Sequence, residues 1–375
     1  MSEKFLLSKT EIGVNMNFQR QPRCFRSSQF CIMINVIAIT LICLYVWQLE
    51  DDKCKSKLSS MLENIKSLGL CERSIINEKT FRDLTRLKLY KLDLGISRRN
   101  EVILSTCLDK VEELLNSYYK DTPTIYAITP TFARPVQKAE LTRLAQSFIL
   151  VPKFHWIVIE DAVNKTKLVS NLLASSLLSY THLNVATPTN YKLGKRDPHW
   201  KKPRGVEQRN AALRWIRENL DSSHNGIVFF ADDDNTYSIQ IFAEMSRIKK
   251  VGVWPVGLVG GLMVEKPLCD KVTKKVTGFN SMWKPDRPFP VDMAGFAINL
   301  KLILEHKDSW FSFDVQGGYQ ESEILRKMIT KDDLEPLADF CTKVYVWHTR
   351  TEHPLLRTEQ MLIKQGKPSN FGIEV

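Results

Sequence analysis

A short apolar run followed at once by three carboxylates is the feature that most constrains this chain. Residues 227–230 are all apolar, which suits a strand buried on both faces. Asp232, Asp233 and Asp234 then crowd like charges at the end of that strand, where each raises the pKa of the others unless a cation lies among them. A hard divalent ion that keeps positions open for phosphate oxygens is such a cation. Alternatively, the acidic turn only leads into a following helix that Ser238 would cap.

From Pro123 onward, predicted strands and helices alternate, which favours an α/β domain with a largely parallel sheet. Ligands of open α/β sheets lie beyond the carboxyl ends of the strands, so we expect Asp161 and the acidic triplet to face one crevice. Neither GxGxxG nor GxxxxGK[ST] is present, so the sequence supports neither a dinucleotide fingerprint nor a P-loop. The predicted strands are 124–129, 154–160, 183–186 and 227–230, and the predicted helices are 137–150, 166–179, 206–219, 239–249 and 321–329.

Twenty residues without a charge, 30–49, predict a membrane anchor. A helix of this length is roughly 30 Å long, enough to cross a bilayer. Tyr45 and Trp47 suit an aromatic belt at its far end, and the basic residues before it predict a cytosolic N-terminus. No small-residue cleavage site follows, so we interpret the segment as an uncleaved anchor, with a buried soluble helix as the alternative. The predicted order is a cytosolic tail (1–29), the anchor (30–49), a partly helical lumenal stem (50–121) and an α/β domain (122–375).

The net charge of +11, from 53 basic and 42 acidic residues, suits anionic small molecules or a membrane surface. We expect no nucleic acid partner, because zinc-finger spacing and an RRM signature are absent. Asn164, in the sequence Asn-Lys-Thr, is a predicted glycosylation site if this part of the chain is lumenal. An oxidising lumen would allow disulfides within or between chains among Cys54, Cys71, Cys107, Cys269 and Cys341, whose pairing the spacing leaves open.

Two pairs of cationic residues are candidates for binding an anion. Arg204 and Arg209 lie near a predicted helix start, where guanidinium groups and the helix dipole both favour phosphate. Solvated surface arginines are the alternative. His348 and Arg350 alternate in an extended segment, so both can reach the same anion, although a histidine satisfied within the core is equally compatible with the pattern.

Three single carboxylates are further candidates. Asp292 lies in an apolar run, where an unpaired charge is costly, so it needs a structural donor or a ligand hydroxyl. Glu321 follows two glycines at a predicted helix start, where it either meets a ligand or only complements the helix dipole. Asp161 could accept from a ligand or cap a helix.

Six segments, in this order, resemble the β-1,3-glucuronosyltransferases: TPTFARPVQKAEL, PRGVEQRNAALRW, FFADDDNTYS, RPFPVDMAGFA, GGYQES and VWHTRTE. Members of that family are anchored Golgi enzymes that transfer glucuronic acid from UDP-glucuronate to galactose. The resemblance covers residues 122–375 and implies a GT-A-type α/β fold with a nucleotide-binding half and an acceptor half. It also implies a type II Golgi membrane protein with a lumenal catalytic domain that forms a homodimer.

The resemblance assigns roles to individual residues. Glu321 is the implied general base, and Asp234 the implied ligand of a Mn²⁺ ion that bridges the diphosphate. Phe132 replaces the tyrosine that is common in the family, which predicts weaker nucleotide affinity and an unchanged reaction. The implied donor-binding residues are Phe132, Asp161, Arg204, Arg209, Asp232, Asp233, His348 and Arg350, and the implied acceptor-binding residues are Glu265, Trp283, Arg287 and Asp292.

The predicted function is therefore Mn²⁺-dependent, inverting transfer of glucuronic acid to a terminal galactose. Two acceptors stay open: the galactose-galactose-xylose linker of proteoglycans and the N-acetyllactosamine ends of glycoproteins. Residues 317–321 are closer to the group acting on the second. The alternatives are a related transferase with a different sugar donor, a catalytically silent lectin or scaffold, and a membrane-tethered structural protein that would leave the charged residues unexplained.

Overall fold

The structure is a computed structural model. It describes residues 121–375 except 193, 195, 196, 198–201 and 353. The predicted tail, anchor and stem lie outside the described residues. Within the described part of the chain, no helix has the length and apolar character needed to span a bilayer.

The described residues form an α/β fold with two sheets. The strands are β1 (Thr124–Thr131), β2 (Phe154–Glu160), β3 (Ser179–Asn184), β4 (Gly226–Phe230), β5 (Thr236–Tyr237), β6 (Val251–Val253), β7 (Val256–Gly257), β8 (Val264–Asp270), β9 (Lys275–Asn280), β10 (Phe296–Asn299), β11 (Leu334–Pro336) and β12 (Val346–Trp347). The helices are α1 (Gln137–Phe148), α2 (Lys167–Ser175), α3 (Val206–Asn219), α4 (Ile239–Met245), α5 (Leu300–Glu305), α6 (Gln320–Leu325) and α7 (Arg357–Lys364), with 3₁₀ turns at Thr189–Tyr191, Met293–Gly295 and Lys331–Asp333.

The central sheet has seven strands in the order β11-β6-β10-β4-β1-β2-β3. Strands β3, β2, β1 and β4 run parallel, as do β6 and β11. Only β10 is antiparallel to its neighbours, β4 and β6. The prediction of an α/β domain with a largely parallel sheet is confirmed.

Strand β4 is fully buried because the core lies on both of its faces. Ile227 and Phe229 belong to one apolar cluster, whereas Val228 and Phe230 belong to the cluster on the opposite face. Alternate side chains of a strand point to opposite faces, so a continuous apolar run is what two covered faces require. The prediction from residues 227–230 is confirmed.

A second sheet has five strands in the order β5-β12-β7-β8-β9. A disulfide between Cys269 and Cys341 joins β8 to the chain that follows β11, with 6.2 Å between the two Cα atoms. Cys341 ends a left-handed turn, Ala338–Cys341, in which φ lies between 53° and 60°. The pairing that spacing left open is thus assigned for two cysteines; Cys54, Cys71 and Cys107 lie outside the described residues.

Several predicted boundaries differ from the observed ones. Helix α3 matches its predicted bounds, but α4 ends at Met245 and α6 at Leu325, earlier than the sequence indicated. Strand β3 begins at Ser179, four residues before the predicted start, because its polar residues occupy a partly exposed sheet edge and give no apolar signal.

Candidate active site

Three neighbouring parallel strands end at the same edge of the central sheet. β1 ends just before Phe132, β2 just before Asp161, and β4 two residues before Asp232. The backbone N–H groups of Asp161 and Ala231 each donate to a carbonyl of β1. The predicted crevice-facing residues therefore share one edge, which we call the acidic edge and define as residues 232–234 with Phe132 and Asp161.

Two carboxylates of the acidic edge are neutralised by arginines. Arg209, on α3, donates to Asp232 at 2.5 Å and to the carbonyl of Arg204 at 2.8 Å. Asp233 accepts from Thr131 Oγ1 and from Arg134, both at 2.7 Å. Both carboxylates are thus fixed in position by charge-assisted hydrogen bonds.

Arg134 and Thr131 were missed by sequence reasoning. The guanidinium carbon of Arg134 lies 4.7 Å from the centre of the exposed Phe132 ring, so one residue joins the aromatic ring to Asp233. The signal was present in the segment TPTFARP, where Arg134 follows Phe132 by two residues. What the segment alone could not show is that Arg134 folds back on the acidic triplet.

Asp234 differs from the two carboxylates before it. Burial first, and then the charges of Asp232 and Asp233, raise the pKa of Asp234. Among the described residues, no arginine or lysine forms an ion pair with it. Its backbone carbonyl accepts from Arg143 at 3.0 Å and from Thr349 at 2.5 Å, so the loop is anchored while the carboxylate keeps its excess negative surroundings.

These surroundings suit a cation, although the described residues contain no group of three or more His, Cys, Asp or Glu side chains that could hold a metal ion by themselves. Hard divalent ions in nucleotide sites commonly take one or two carboxylates and complete their shell with substrate phosphates and water. Asp234 fits that pattern as a single protein ligand.

A cavity of about 440 Å³ lies beside the acidic edge. Its wall brings together residues that are far apart in the sequence and that belong to both predicted halves of the site. Those residues are Glu265, Trp283, Arg287, Asp292, Glu321, His348 and Arg350, joined by Gly260, Gly261 and Gly318.

Glu321 lies in the first turn of α6 on the cavity wall. Burial raises its pKa to about 7, although the positive charge of Arg287 opposes the shift. The Arg287 Nη1 to Glu321 Oε2 distance is 3.7 Å, and that buried oxygen accepts no hydrogen bond. A carboxylate that exchanges its proton near neutral pH and has an open lone pair can act as a general base.

His348 and Asp292 form a partly buried ion pair that also lines the cavity, with 3.0 Å between Nδ1 and Oδ2. Burial disfavours the imidazolium, but the hydrogen bond and charge of Asp292 outweigh it and raise the pKa of His348 to about 9. The same contact lowers the pKa of Asp292 in spite of its burial. His348 is therefore a cation at neutral pH, and Arg350 lines the same cavity.

Glu265 and Arg287 are tied together through a residue that the sequence did not single out. Ser281 donates to Glu265 Oε2 at 2.6 Å, and Arg287 donates to Ser281 Oγ at 3.4 Å. Burial raises the pKa of Glu265, whereas these two neighbours lower it. Glu265 is thus hydrogen-bonded through one oxygen and lines the cavity.

The acidic edge, Arg204, Arg209 and Asn164 do not line this cavity. Both oxygens of Asp161 accept from Thr187, at 2.7 and 2.8 Å, so this carboxylate fastens the chain after β3 and caps no helix. Arg204 is exposed before the start of α3. Asn164 is exposed as well, in the loop between β2 and α2.

Comparison with known proteins places these features in a family. The family model of glycosyltransferase family 43 matches residues 144–352. The chain is 44% identical to a Caenorhabditis elegans galactosylgalactosylxylosylprotein 3-beta-glucuronosyltransferase over 86% of this chain and 90% of the relative. It is 57% identical to the Drosophila melanogaster galactosylgalactosylxylosylprotein 3-beta-glucuronosyltransferase I over 68% and 84%, and 54% identical to the Homo sapiens galactosylgalactosylxylosylprotein 3-beta-glucuronosyltransferase 1 over 63% and 72%. The resemblance seen in the six segments is therefore confirmed: this chain belongs to glycosyltransferase family 43 and is a glycosyltransferase.

Proposed function

We propose that this chain transfers glucuronic acid from UDP-glucuronate to the terminal galactose of a galactosyl-galactosyl-xylosyl linker on proteins, with inversion at the anomeric carbon. The names of three relatives, at 44%, 54% and 57% identity, support this acceptor over N-acetyllactosamine. These names disagree with the sequence-based expectation that residues 317–321 are closer to the enzymes acting on N-acetyllactosamine.

The observation that carries the proposal is the state of Glu321. Its pKa of about 7 and its unoccupied Oε2 suit a base that removes the proton from the galactose 3-hydroxyl. The hydroxyl oxygen then bonds to the anomeric carbon, the bond from that carbon to the UDP oxygen breaks, and the proton stays on Glu321. One base is enough, because the leaving group is a diphosphate that needs charge stabilisation rather than a proton.

Two cations that line the same cavity support departure of the diphosphate. His348 stays protonated because Asp292 is paired with it, and Arg350 adds a second positive charge. Fixed charges already aimed at developing negative charge lower the barrier without reorganisation. Asp292 acts here through His348, and its predicted contact with the acceptor stays a prediction.

The acidic edge supports the nucleotide part of the donor. The exposed ring of Phe132 offers a face for the uracil base, with Arg134 behind it. Asp232 and Asp233 keep lone pairs beyond those used by Arg209, Thr131 and Arg134, so ribose hydroxyls can donate to them. Asp161 and Arg204 remain predicted donor contacts.

Mn²⁺ is the metal we propose, with Asp234 as its one protein ligand. The raised pKa of Asp234, produced by burial and two neighbouring carboxylates, supports this fit. When bound, such an ion would neutralise negative charge on the diphosphate oxygens of the leaving group. Arg143 and Thr349 would hold the Asp234 backbone in place for it.

We propose a Golgi membrane location, with the catalytic domain lumenal and the chain anchored through residues 30–49. The Cys269–Cys341 disulfide supports an oxidising compartment.

We also propose a homodimer, since α7 has no buried residue and leaves Met361 and Ile363 exposed. Light scattering of the purified chain tests the dimer, and protease protection of microsomes tests the topology.

The deciding experiment measures transfer from radiolabelled UDP-glucuronate by the full-length chain, purified in detergent with Mn²⁺. A galactosyl-galactosyl-xyloside and N-acetyllactosamine serve as parallel acceptors. We expect product with the first and much less with the second. A higher rate with N-acetyllactosamine would overturn the acceptor, and no product with either, while UDP still binds, would overturn the donor or the enzymatic function itself.

A further inference from the structure

Gly318 lies against the indole of Trp283 at a distance that no other residue would allow. A Cβ atom at position 318 would lie 2.4 Å from Trp283 Nε1 and 3.1 Å from Cδ1. Ordinary contacts of this kind are 3.4–4 Å long, so the indole would have to move. Gly318 also has φ of +87°, a conformation that L-residues rarely adopt.

The turn that contains Gly318 is fastened to the segment that contains Trp283. Lys284 donates to the carbonyl of Gly317 at 2.7 Å, and Arg287 donates to the carbonyl of Gly318 at 2.8 Å. The turn leads directly into α6, which carries Glu321. Trp283 and Glu321 are therefore connected through one short, hydrogen-bonded unit.

Trp283 has the properties of a surface on which a sugar ring stacks. Its side chain is 44% exposed and lines the same cavity as Glu321. The edge of the indole that carries Nε1 is the part that lies against the turn at Gly318. The distance between the Trp283 indole and the turn at Gly318 therefore sets the space between the face of the indole and Glu321.

We propose that Gly318 is a positioning residue for the acceptor saccharide: the absence of a side chain there lets the Trp283 indole seat against the turn, and this seating sets the distance between bound sugar and Glu321. The inference rests on the proposed function, because it names Trp283 as the acceptor platform. It adds a specificity-determining role to a residue that has no side chain of its own.

Replacement of Gly318 by alanine tests the proposal, with Gly261→Ala as the matched control. Gly261 also lines the cavity and has φ of +77°, but a Cβ there meets nothing within 4 Å. Both substitutions impose left-handed strain, and only Gly318→Ala displaces the indole. For the full-length chain we expect Gly318→Ala to raise the KM for the galactoside acceptor on the order of tenfold, with UDP affinity unchanged, and Gly261→Ala to raise it much less.

A double-mutant cycle with Trp283→Phe separates an effect on the position of the indole from a general loss of structure. Phenylalanine lacks Nε1, the atom nearest to the added Cβ. Gly318→Ala should therefore raise the acceptor KM by a smaller factor in the Trp283→Phe background than in the native one. Equal factors in the two backgrounds would overturn the proposal.

A second variant covers the case in which Gly318→Ala does not fold. Lys284→Met removes the hydrogen bond to Gly317 without adding strain, so it should raise the acceptor KM and leave UDP affinity unchanged. An unchanged acceptor KM would count against the proposal. Failure of the native chain to glycosylate any galactoside would overturn the proposed function, whereas native transfer with equal KM values for Gly318→Ala and Gly261→Ala would overturn this inference alone.

Discussion

The acidic edge and the cavity beside it use the same chemical group in opposite ways. At the edge, Asp232 and Asp233 lie 2.5 and 2.7 Å from arginine nitrogens. In the cavity, Glu321 lies 3.7 Å from Arg287, and one of its oxygens accepts no hydrogen bond. A direct charge-assisted hydrogen bond ties Asp232 and Asp233 to arginines, whereas burial with only a distant cation raises the pKa of Glu321 to about 7.

The distance to an arginine, rather than its presence, therefore distinguishes two kinds of carboxylate. Asp232 and Asp233 stabilise the site through direct contacts, whereas Glu321, at a longer distance, can accept a proton. Asp234 belongs to neither group, because burial and like charges raise its pKa and no arginine or lysine among the described residues pairs with it. The pair Asp292 and His348 is a third case, in which the carboxylate keeps its neighbour charged.

Glu321→Gln should cause the largest loss, because it removes the only proposed proton acceptor. We expect kcat to fall by about 10²–10⁴-fold with UDP affinity retained. Glu323→Gln is the matched control, since it lies in the same helix and pairs with Arg326 outside the cavity. Loss of UDP binding together with turnover would show that Glu321 supports the structure and is not the base.

Asp234→Ala should abolish Mn²⁺-dependent turnover and also the Mn²⁺ enhancement of UDP binding, which calorimetry measures without any reaction. The reason is that the proposed metal has a single protein ligand, so no neighbouring side chain replaces it. Normal Mn²⁺-dependent turnover by this variant would exclude Asp234 as the metal ligand.

Arg134→Gln tests whether the arginines at the acidic edge stabilise the fold. Its side chain and that of Asp233 are only 8% and 10% exposed, so removing the cation leaves a buried charge without its partner. We expect a loss of about 3–5 kcal/mol in the free energy of unfolding, measured by denaturant titration.

Arg326→Gln is the control for that experiment. It breaks an ion pair whose arginine is 57% exposed, and we expect it to cost about 0–1 kcal/mol. Similar losses for the two variants would contradict a special role for buried arginines at the acidic edge.

The smallest expected effect is a shift in pH dependence. The kcat/KM for the acceptor should rise as pH increases through about 7, since only ionised Glu321 accepts a proton, and fall above about 9, where His348 loses its charge. Arg287 lowers the pKa of Glu321, so Arg287→Met should move the rising limb to higher pH. If the rising limb of Arg287→Met lies at the same pH as that of the native chain, whatever its absolute rate, Arg287 does not control the pKa of Glu321.

Sequence reasoning recovered what local pattern encodes. The apolar run predicted β4, and the order of predicted strands and helices predicted the α/β fold. Six of the donor or acceptor residues line one cavity with Glu321, but their roles were implied by the family resemblance and not by local pattern. Sequence reasoning could not recover pairings over long separations, such as His348 with Asp292 or Cys269 with Cys341. Such contacts depend on how strands and loops far apart in the chain are brought together, which no local spacing records.

The disulfide also determines how the residues of the cavity wall stay covalently connected. Cys269 and Cys341 are 72 positions apart, and the chain between them carries Trp283, Arg287, Asp292, Gly318 and Glu321. This cross-link makes the segment a covalent ring, so a protease cut anywhere within it leaves both pieces attached to the enzyme. Closing a ring of this size also removes roughly 4 kcal/mol of entropy from the unfolded chain. A nicked protein would therefore keep its base and sugar platform in one molecule until a thiol opened the ring.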